Sequence, residues 1–182
     1  MNQFQWDLRT TPAYDVPGYR SDETDDFPDI GDGPTIVPGT YGIVLQYGAQ
    51  RLTAPLILKL DPRFHPAAGD LEARYALEIQ LRDAIDRLDR AIAAAMAGRN
   101  KLPAAARSRV DAEIAELILL GVDSSEADVL RETKLRQQLA FLMNSLENAY
   151  ARPTPAEYAA ANDLEALATD GAARLRALTQ QQ

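Results

Sequence analysis

The sequence predicts an α+β chain, a small antiparallel β unit followed by a helical bundle, and three observations predict it. Between residues 40 and 60, apolar and polar side chains alternate on both sides of Gly48 and Ala49, the period of a hairpin. From Asp70 onward, leucine, isoleucine and alanine recur every three or four residues, the spacing of amphipathic helices. Prolines and glycines cut this second region into separate helices.

The β unit is expected over residues 1–63. Residues 3–8 place Phe4, Trp6 and Leu8 on one face and Gln3, Gln5 and Asp7 on the other, so a half-buried strand is predicted there. Residues 10–38 are rich in Pro, Gly and Asp and read as a long acidic surface loop. In the hairpin, Tyr41, Ile43, Leu45 and Tyr47 form one alternating run and Leu52, Ala54, Leu56, Leu58 and Leu60 the other. Pro38-Gly39 sets a turn before it, and Asp61-Pro62 ends it because proline has no N–H to continue a ladder. For the same reason Pro55 is expected on an unpaired edge or at a bulge.

The helical bundle is expected over residues 64–182. A first helix over 71–98, capped by Asp70 and ended by Gly98, carries a seam of Leu77, Leu81, Ala84, Leu88, Ala91 and Ala95, widened by Ile85, Ile92 and Met96. A second over 103–119 takes Pro103 at its first position, carries Val110, Ile114, Leu117 and Ile118, and ends at Gly121. A third, from about Ser125 or Ala127 to Tyr150, repeats the seam with Leu135, Leu139, Leu142, Leu146 and Ala149. The fourth opens on a capping box of Thr154, Pro155 and Glu157 and continues with Leu164, Leu167, Gly171, Leu175 and Leu178. Together they imply an antiparallel bundle of three to four helices.

Composition narrows the function classes. The 182 residues suffice for one ordinary domain or for a small β unit joined to a helical one. A net charge of -8, with basic residues interleaved among acids, disfavours nucleic acid as a partner. Without cysteine there is no disulfide, thiolate metal site or cysteine nucleophile. No apolar run reaches the ~20 residues that cross a bilayer, and "MNQFQWDL" lacks the basic and apolar parts of a signal peptide. As written, the chain is expected in the cytoplasm.

Candidate sites are few. Asp22, Glu23, Asp25, Asp26, Asp29 and Asp32 could supply oxygens to calcium, yet their spacing departs from the EF-hand pattern and a solvated loop is expected. His65 is the single histidine, so neither a histidine-based triad nor a two-histidine metal site can form within one chain. Asp83 with Arg87 and Asp86 with Arg90 stand four residues apart and read as helix-surface ion pairs. Tyr14, Tyr19 and Phe27 are expected to anchor the acidic loop on the sheet, with a partner-binding surface as the alternative. No catalytic, cofactor-binding or metal-binding residue is assigned, and no enzyme activity is expected.

Three stretches in fixed order, "NQFQWDLR", "GPTIVPGTYGIVLQYGAQRLTAPLILKLDPR" and "DLEARYALEIQLRDAIDRLDRAI", resemble the C-terminal region of bacterial BNR-repeat, sortilin-type β-propeller proteins, a glycosyl-hydrolase-like family. The resemblance implies that the Trp6 strand and the hairpin are about three strands of a partial fibronectin-like antiparallel β-sandwich, with helices after it. It implies a non-catalytic accessory role in packing or assembly, with any hydrolase activity in a propeller that this chain lacks. A chain forming the tail of a longer family member would be secreted or periplasmic. Because an isolated hairpin with an unpaired apolar edge invites pairing, the expected partners are an upstream propeller or a second copy through the sheet edge, unless helices shield it.

Two alternatives stand beside this one. The first is a free-standing protein–protein interaction module. The second rests on "LRDAIDRLDRAIAAAMAGR", which is similar to the first helix of the all-helical chorismate mutases, with Arg82 and Arg99 at matching positions. Bidentate arginines there would bind a dicarboxylate. Pro103 and the β segment depart from that family.

Overall fold

In a computed structural model that describes residues 5–19, 33–120 and 133–180, strands β1 (Gly39–Tyr47) and β2 (Gln50–Leu58) pair antiparallel, with Tyr41 opposite Leu56, Ile43 opposite Ala54 and Leu45 opposite Leu52. The two-residue turn holds Gly48 at φ 57° with Ala49 at negative φ. That is a type II′ hairpin turn, which favours glycine at its first central position and matches strand twist. Pro55 faces Gly42 in an unbroken register, so it sits on the outer edge of β2 and not at a bulge.

Four α-helices follow among the described residues: α1 (Asp70–Gly98), α2 (Ala104–Leu117), α3 (Leu135–Glu147) and α4 (Pro155–Gln180), with a 3₁₀ turn, Arg99–Lys101, between α1 and α2. Side-chain contacts give their directions. Asp70 meets Arg152 and Arg87 meets Glu165, so α1 and α4 run the same way. Arg74 reaches Ala149 while Asp89 reaches Arg136, so α3 runs against α1. Glu113 meets Arg174 and Leu117 lies against Gly171, so α2 runs against α4. Lys134 at the start of α3 lies 3.6 Å from Glu116 at the end of α2. The two short helices are therefore stacked nearly end to end between two long ones, and the expected antiparallel bundle is corrected: α2 and α3 run against their long neighbours, but α1 and α4, which pack together, run parallel.

The core lies between these helices. Leu77, Leu81, Ile85, Leu88 and Ile92 of α1 are buried against Val110, Ile114 and Leu117 of α2, Leu139 and Leu146 of α3, and Leu175 of α4. Residues 10–19 lie across it as a strap, adding Ala13 and Val16 to the core. The α1 seam is buried as expected, apart from the half-buried Met96. Thr154 and Glu157 form the expected capping box, with Glu157 Oε2 accepting from the Thr154 N–H at 2.6 Å and Thr154 Oγ1 accepting from the Glu157 N–H at 3.3 Å.

Several expectations are corrected. Among the described residues the sheet has two strands, not about three: residues 5–8 form no strand, and this segment is paired by a bridge between Arg9 and Thr35. The Asp7 carboxylate accepts from the Arg9 N–H, the Trp6 indole N–H donates to the Arg9 carbonyl, and Leu8 turns to φ 65°. Such local bonds compete with a ladder. Trp6 is consequently 40 % exposed instead of packed between layers. Residues 1–4 lie outside the described residues.

Among the helices, Asp70 is a first-turn residue paired with Arg152 and makes no cap; Gly69, at φ 82°, precedes the helix. α1 ends at Gly98 as expected, but the glycine keeps helical dihedrals and the chain tightens directly into the 3₁₀ turn. Pro103 flanks α2, and the helix stops at Leu117 because Ile118 is extended. The residues between 121 and 132, where the start of the third helix was expected, lie outside the described residues. Leu167 is exposed, because α4 turns the small residues Ala161, Ala168, Gly171 and Ala172 inward.

Gly171 is small for a reason. A Cβ placed there would stand 2.5 Å from Leu117 Cδ2, a buried side chain with little room to swing. Gly171→Ala is expected to destabilise by about 1–2 kcal/mol despite the better helix propensity of alanine. Gly98→Ala, with open space around it and helical dihedrals, is expected to stabilise by up to about 1 kcal/mol. Urea unfolding followed by circular dichroism checks both, and equal shifts would contradict the packing argument.

Candidate functional site

The hairpin stands clear of the helices. Apart from its base, at Tyr41, Leu56 and Leu58, every residue of both strands is exposed. Ile43, Leu45, Tyr47 and Leu52 leave 49 %, 62 %, 83 % and 67 % of their surfaces in solvent. These side chains share one face, because odd positions of β1 face even positions of β2. At ~3.4 Å per residue the arm is about 30 Å long. Among the described residues no helix shields it, and the large apolar patch it carries is the kind that marks an interaction surface.

Its root is fixed by an ionic knot. Arg9 Nη1 lies 2.9 Å from Glu147 Oε1 at the end of α3 and donates to the Gly33 carbonyl at 3.1 Å; Thr35 Oγ1 donates to the same carboxylate. Beneath them Arg74 donates to the Glu147 and Ala149 carbonyls at 3.3 and 2.9 Å. It thereby satisfies acceptors that the end of α3 leaves open. Arg74 Nε approaches Glu78 Oε1 to 3.3 Å without hydrogen-bond geometry, so both Glu78 oxygens are buried with no hydrogen-bond donor. Behind β2, Phe64 stacks on Tyr150 with centroids 3.9 Å apart, and the Tyr41 hydroxyl donates to the Val37 carbonyl at 2.5 Å. A cleft of about 330 Å³ remains between Thr35, Pro38, Leu58, Leu60, Arg74 and Tyr150.

A second clamp holds the strap. Arg136 and Asp89 are both fully buried, with Nε donating to Oδ2 at 3.3 Å. The Arg136 guanidinium also lies 4.1 Å from the Tyr19 ring centroid and donates to the Tyr19 hydroxyl at 2.8 Å. The Tyr14 N–H donates to Asp86 Oδ1 at 3.0 Å, and Arg90, bonded to Asp86, covers the Tyr14 ring. Tyr14 and Tyr19 therefore anchor the strap on the helices, where the sequence suggested the sheet.

The other expected positions carry little chemistry. Asp86 pairs with Arg90 at 2.7 Å as expected, but Arg87 turns to Glu165 at 2.5 Å and Asp83 to Arg82 at 3.0 Å. Arg82 and Arg99 lie about 25 Å apart along the helix at 1.5 Å per residue, and Arg99 is bonded to Asp111. The structure does not bring them to one pocket. His65 is exposed in the linker, and the acidic residues 22–32, with Phe27, lie outside the described residues. Among the described residues no three His, Asp or Glu side chains could jointly hold a metal ion, and no helix is long and apolar enough to cross a membrane. Sequence reasoning did not pick out the buried charges Arg74, Glu78, Asp89 and Arg136, although each stands three or four residues from a buried leucine or isoleucine on the same helical face.

Burial pushes the Glu78 carboxyl up to about 7 against the pull of Arg74, and the Asp89 carboxyl up to about 7 against Arg136. Between about pH 4 and about pH 7 both acids hold a proton in the folded chain that the unfolded chain has already released. Their contribution to stability is complete below the unfolded values, about 4, and is lost as pH rises through 7. Asp86, held low by its Arg90 hydrogen bond, loses its contribution only as pH falls below that range. The melting temperature is therefore expected to be several degrees higher at about pH 5.5 than at about pH 8. Glu78→Gln should flatten that slope.

The chain matches no family model, no curated protein and no solved structure.

Proposed function

We propose that this chain is a non-catalytic accessory region of the BNR-type, sortilin-like propeller kind, in which a helical body holds out a β-hairpin for packing or assembly. The observation that carries this reading is the exposed apolar face of Ile43, Leu45, Tyr47 and Leu52 on an arm that the described residues hold at its base. Carboxylates on the helices are engaged by arginines, as Asp86, Asp111 and Glu165 show, which suits structural pairing better than acid–base work. Any hydrolase activity would belong to a propeller outside the chain.

The DNA upstream of the first codon tests the reading. A propeller encoded in frame supports it, whereas a promoter and stop codon there would favour a free-standing interaction module using the same arm. Turnover of chorismate lost on Arg82→Ala would overturn both.

A further inference from the structure

The two edges of the hairpin are not equivalent. A two-residue turn makes Tyr47 and Gln50 a hydrogen-bonded pair, and in an antiparallel ladder such pairs alternate with non-bonded ones. Tyr41, Ile43 and Leu45 therefore spend their N–H and C=O groups on β2, while Thr40, Gly42, Val44 and Gln46 turn theirs outward. On β2 the outward set is Arg51, Thr53, Pro55 and Ile57, and Pro55 has no N–H to offer. The outer edge of β2 is interrupted at its middle; the outer edge of β1 is intact. Among the described residues no group bonds to the outward backbone of β1.

We propose that the β1 edge pairs with the β1 edge of a second copy of this chain, antiparallel across a two-fold axis, to give one four-stranded sheet. This inference rests on the reading of the arm as an assembly surface and names the partner. Charge permits a second copy: β1 contains no charged residue, so two β1 strands meet without repulsion although the whole chain carries -8. Two acidic bodies would repel at close range, but an arm about 30 Å long keeps them several Debye lengths apart. A register centred on Val44 sets Ile43 of one protomer beside Leu45 of its partner and Tyr41 beside Tyr47, so the apolar face runs unbroken across the junction. One competent edge per chain gives an isologous contact that closes at two copies and cannot extend into a fibre. The buried area, on the order of 300 Å² per copy for a strand of this length and about 10 Å of side-chain depth, lies below that of standard interfaces. The dimer is accordingly weak and concentration-dependent.

Sedimentation velocity on the full chain from about 10 μM to about 1 mM tests this, with amide hydrogen exchange over the same range. Dimer should grow with concentration in the parent and in Thr53→Pro. It should be absent in Val44→Pro, whose ring removes an outward donor and leaves the β1–β2 ladder whole. Exchange at Thr40, Gly42, Val44 and Gln46 should slow at least about tenfold at high concentration, and at Arg51, Thr53 and Ile57 should not change; this readout needs no variant to fold. A parent that is monomeric throughout, a Val44→Pro dimer as strong as the parent's, or protection on β2 in place of β1 would overturn the proposal. A monomeric parent with an in-frame upstream propeller would leave the accessory reading standing, whereas a β1-paired dimer beside an upstream stop codon would leave only this one.

Discussion

Arg136→Met is expected to cost about 3–5 kcal/mol of stability at about pH 8, a large part of what a domain of this size possesses. Arg136 and Asp89 are both fully buried, and the arginine is the cation nearest to Asp89. Removing it strands a carboxylate in the core and also frees the Tyr19 ring from its cation. The double variant Asp89→Leu with Arg136→Met should recover most of the loss, because exchanging a buried ion pair for apolar groups is often neutral or better. At about pH 5.5 the single variant should lose less, since Asp89 then carries a proton. Urea titrations of the three proteins at both pH values check this. A single variant within 1 kcal/mol of the parent at the higher pH would mean that the pair does not hold the strap.

Leu81→Ala is expected to cost about 2–5 kcal/mol and Leu45→Ala less than about 0.5 kcal/mol. Leu81 is 0 % exposed at the centre of α1, whereas Leu45 on the arm is 62 % exposed. The same deletion therefore leaves a cavity in one place and only a smaller solvated surface in the other. Thermal unfolding of the two variants separates them by tens of percent of the total stability. A Leu45→Ala loss above 1 kcal/mol would show that the arm folds back onto the helices in solution, which would remove the premise of the assembly reading.

Much of the fold could be read from the letters because two periods dominate it. The hairpin register followed from Gly48-Ala49 and the alternating leucines, and the α1 seam followed from the recurrence of Leu77, Leu81 and Leu88. Leu167 was misplaced because leucines draw attention in α4, while its packing face is set by Ala161, Ala168, Gly171 and Ala172. These small residues let the helix axes approach closely. The Trp6 strand failed because alternation over six residues is weaker than the local bonds among Trp6, Asp7 and Arg9.

The site was half legible. An exposed arm could be anticipated from Pro55 and from the absence of enough strands to sandwich it. The root could not, since nothing in the order of residues joins Arg9 to Glu147. The buried charges were visible in principle: Glu78 directly follows Leu77, and Arg136 directly follows Leu135, so both stand at the margin of an apolar stripe. A charge at such a margin is usually solvated, and only the neighbouring helices decide otherwise.

Arg9 and Glu147 are separated by 138 positions, and that interval orders the folding process. Closing so long a loop must await the nearby helical contacts, which form in microseconds to milliseconds. On the ribosome, at roughly 5–20 residues per second, the arm emerges many seconds before the end of α3 exists to receive its root. During that interval the nascent hairpin lacks the Glu147 anchor and displays its leucines to solvent or to a holdase, and its docking is a late event in biogenesis.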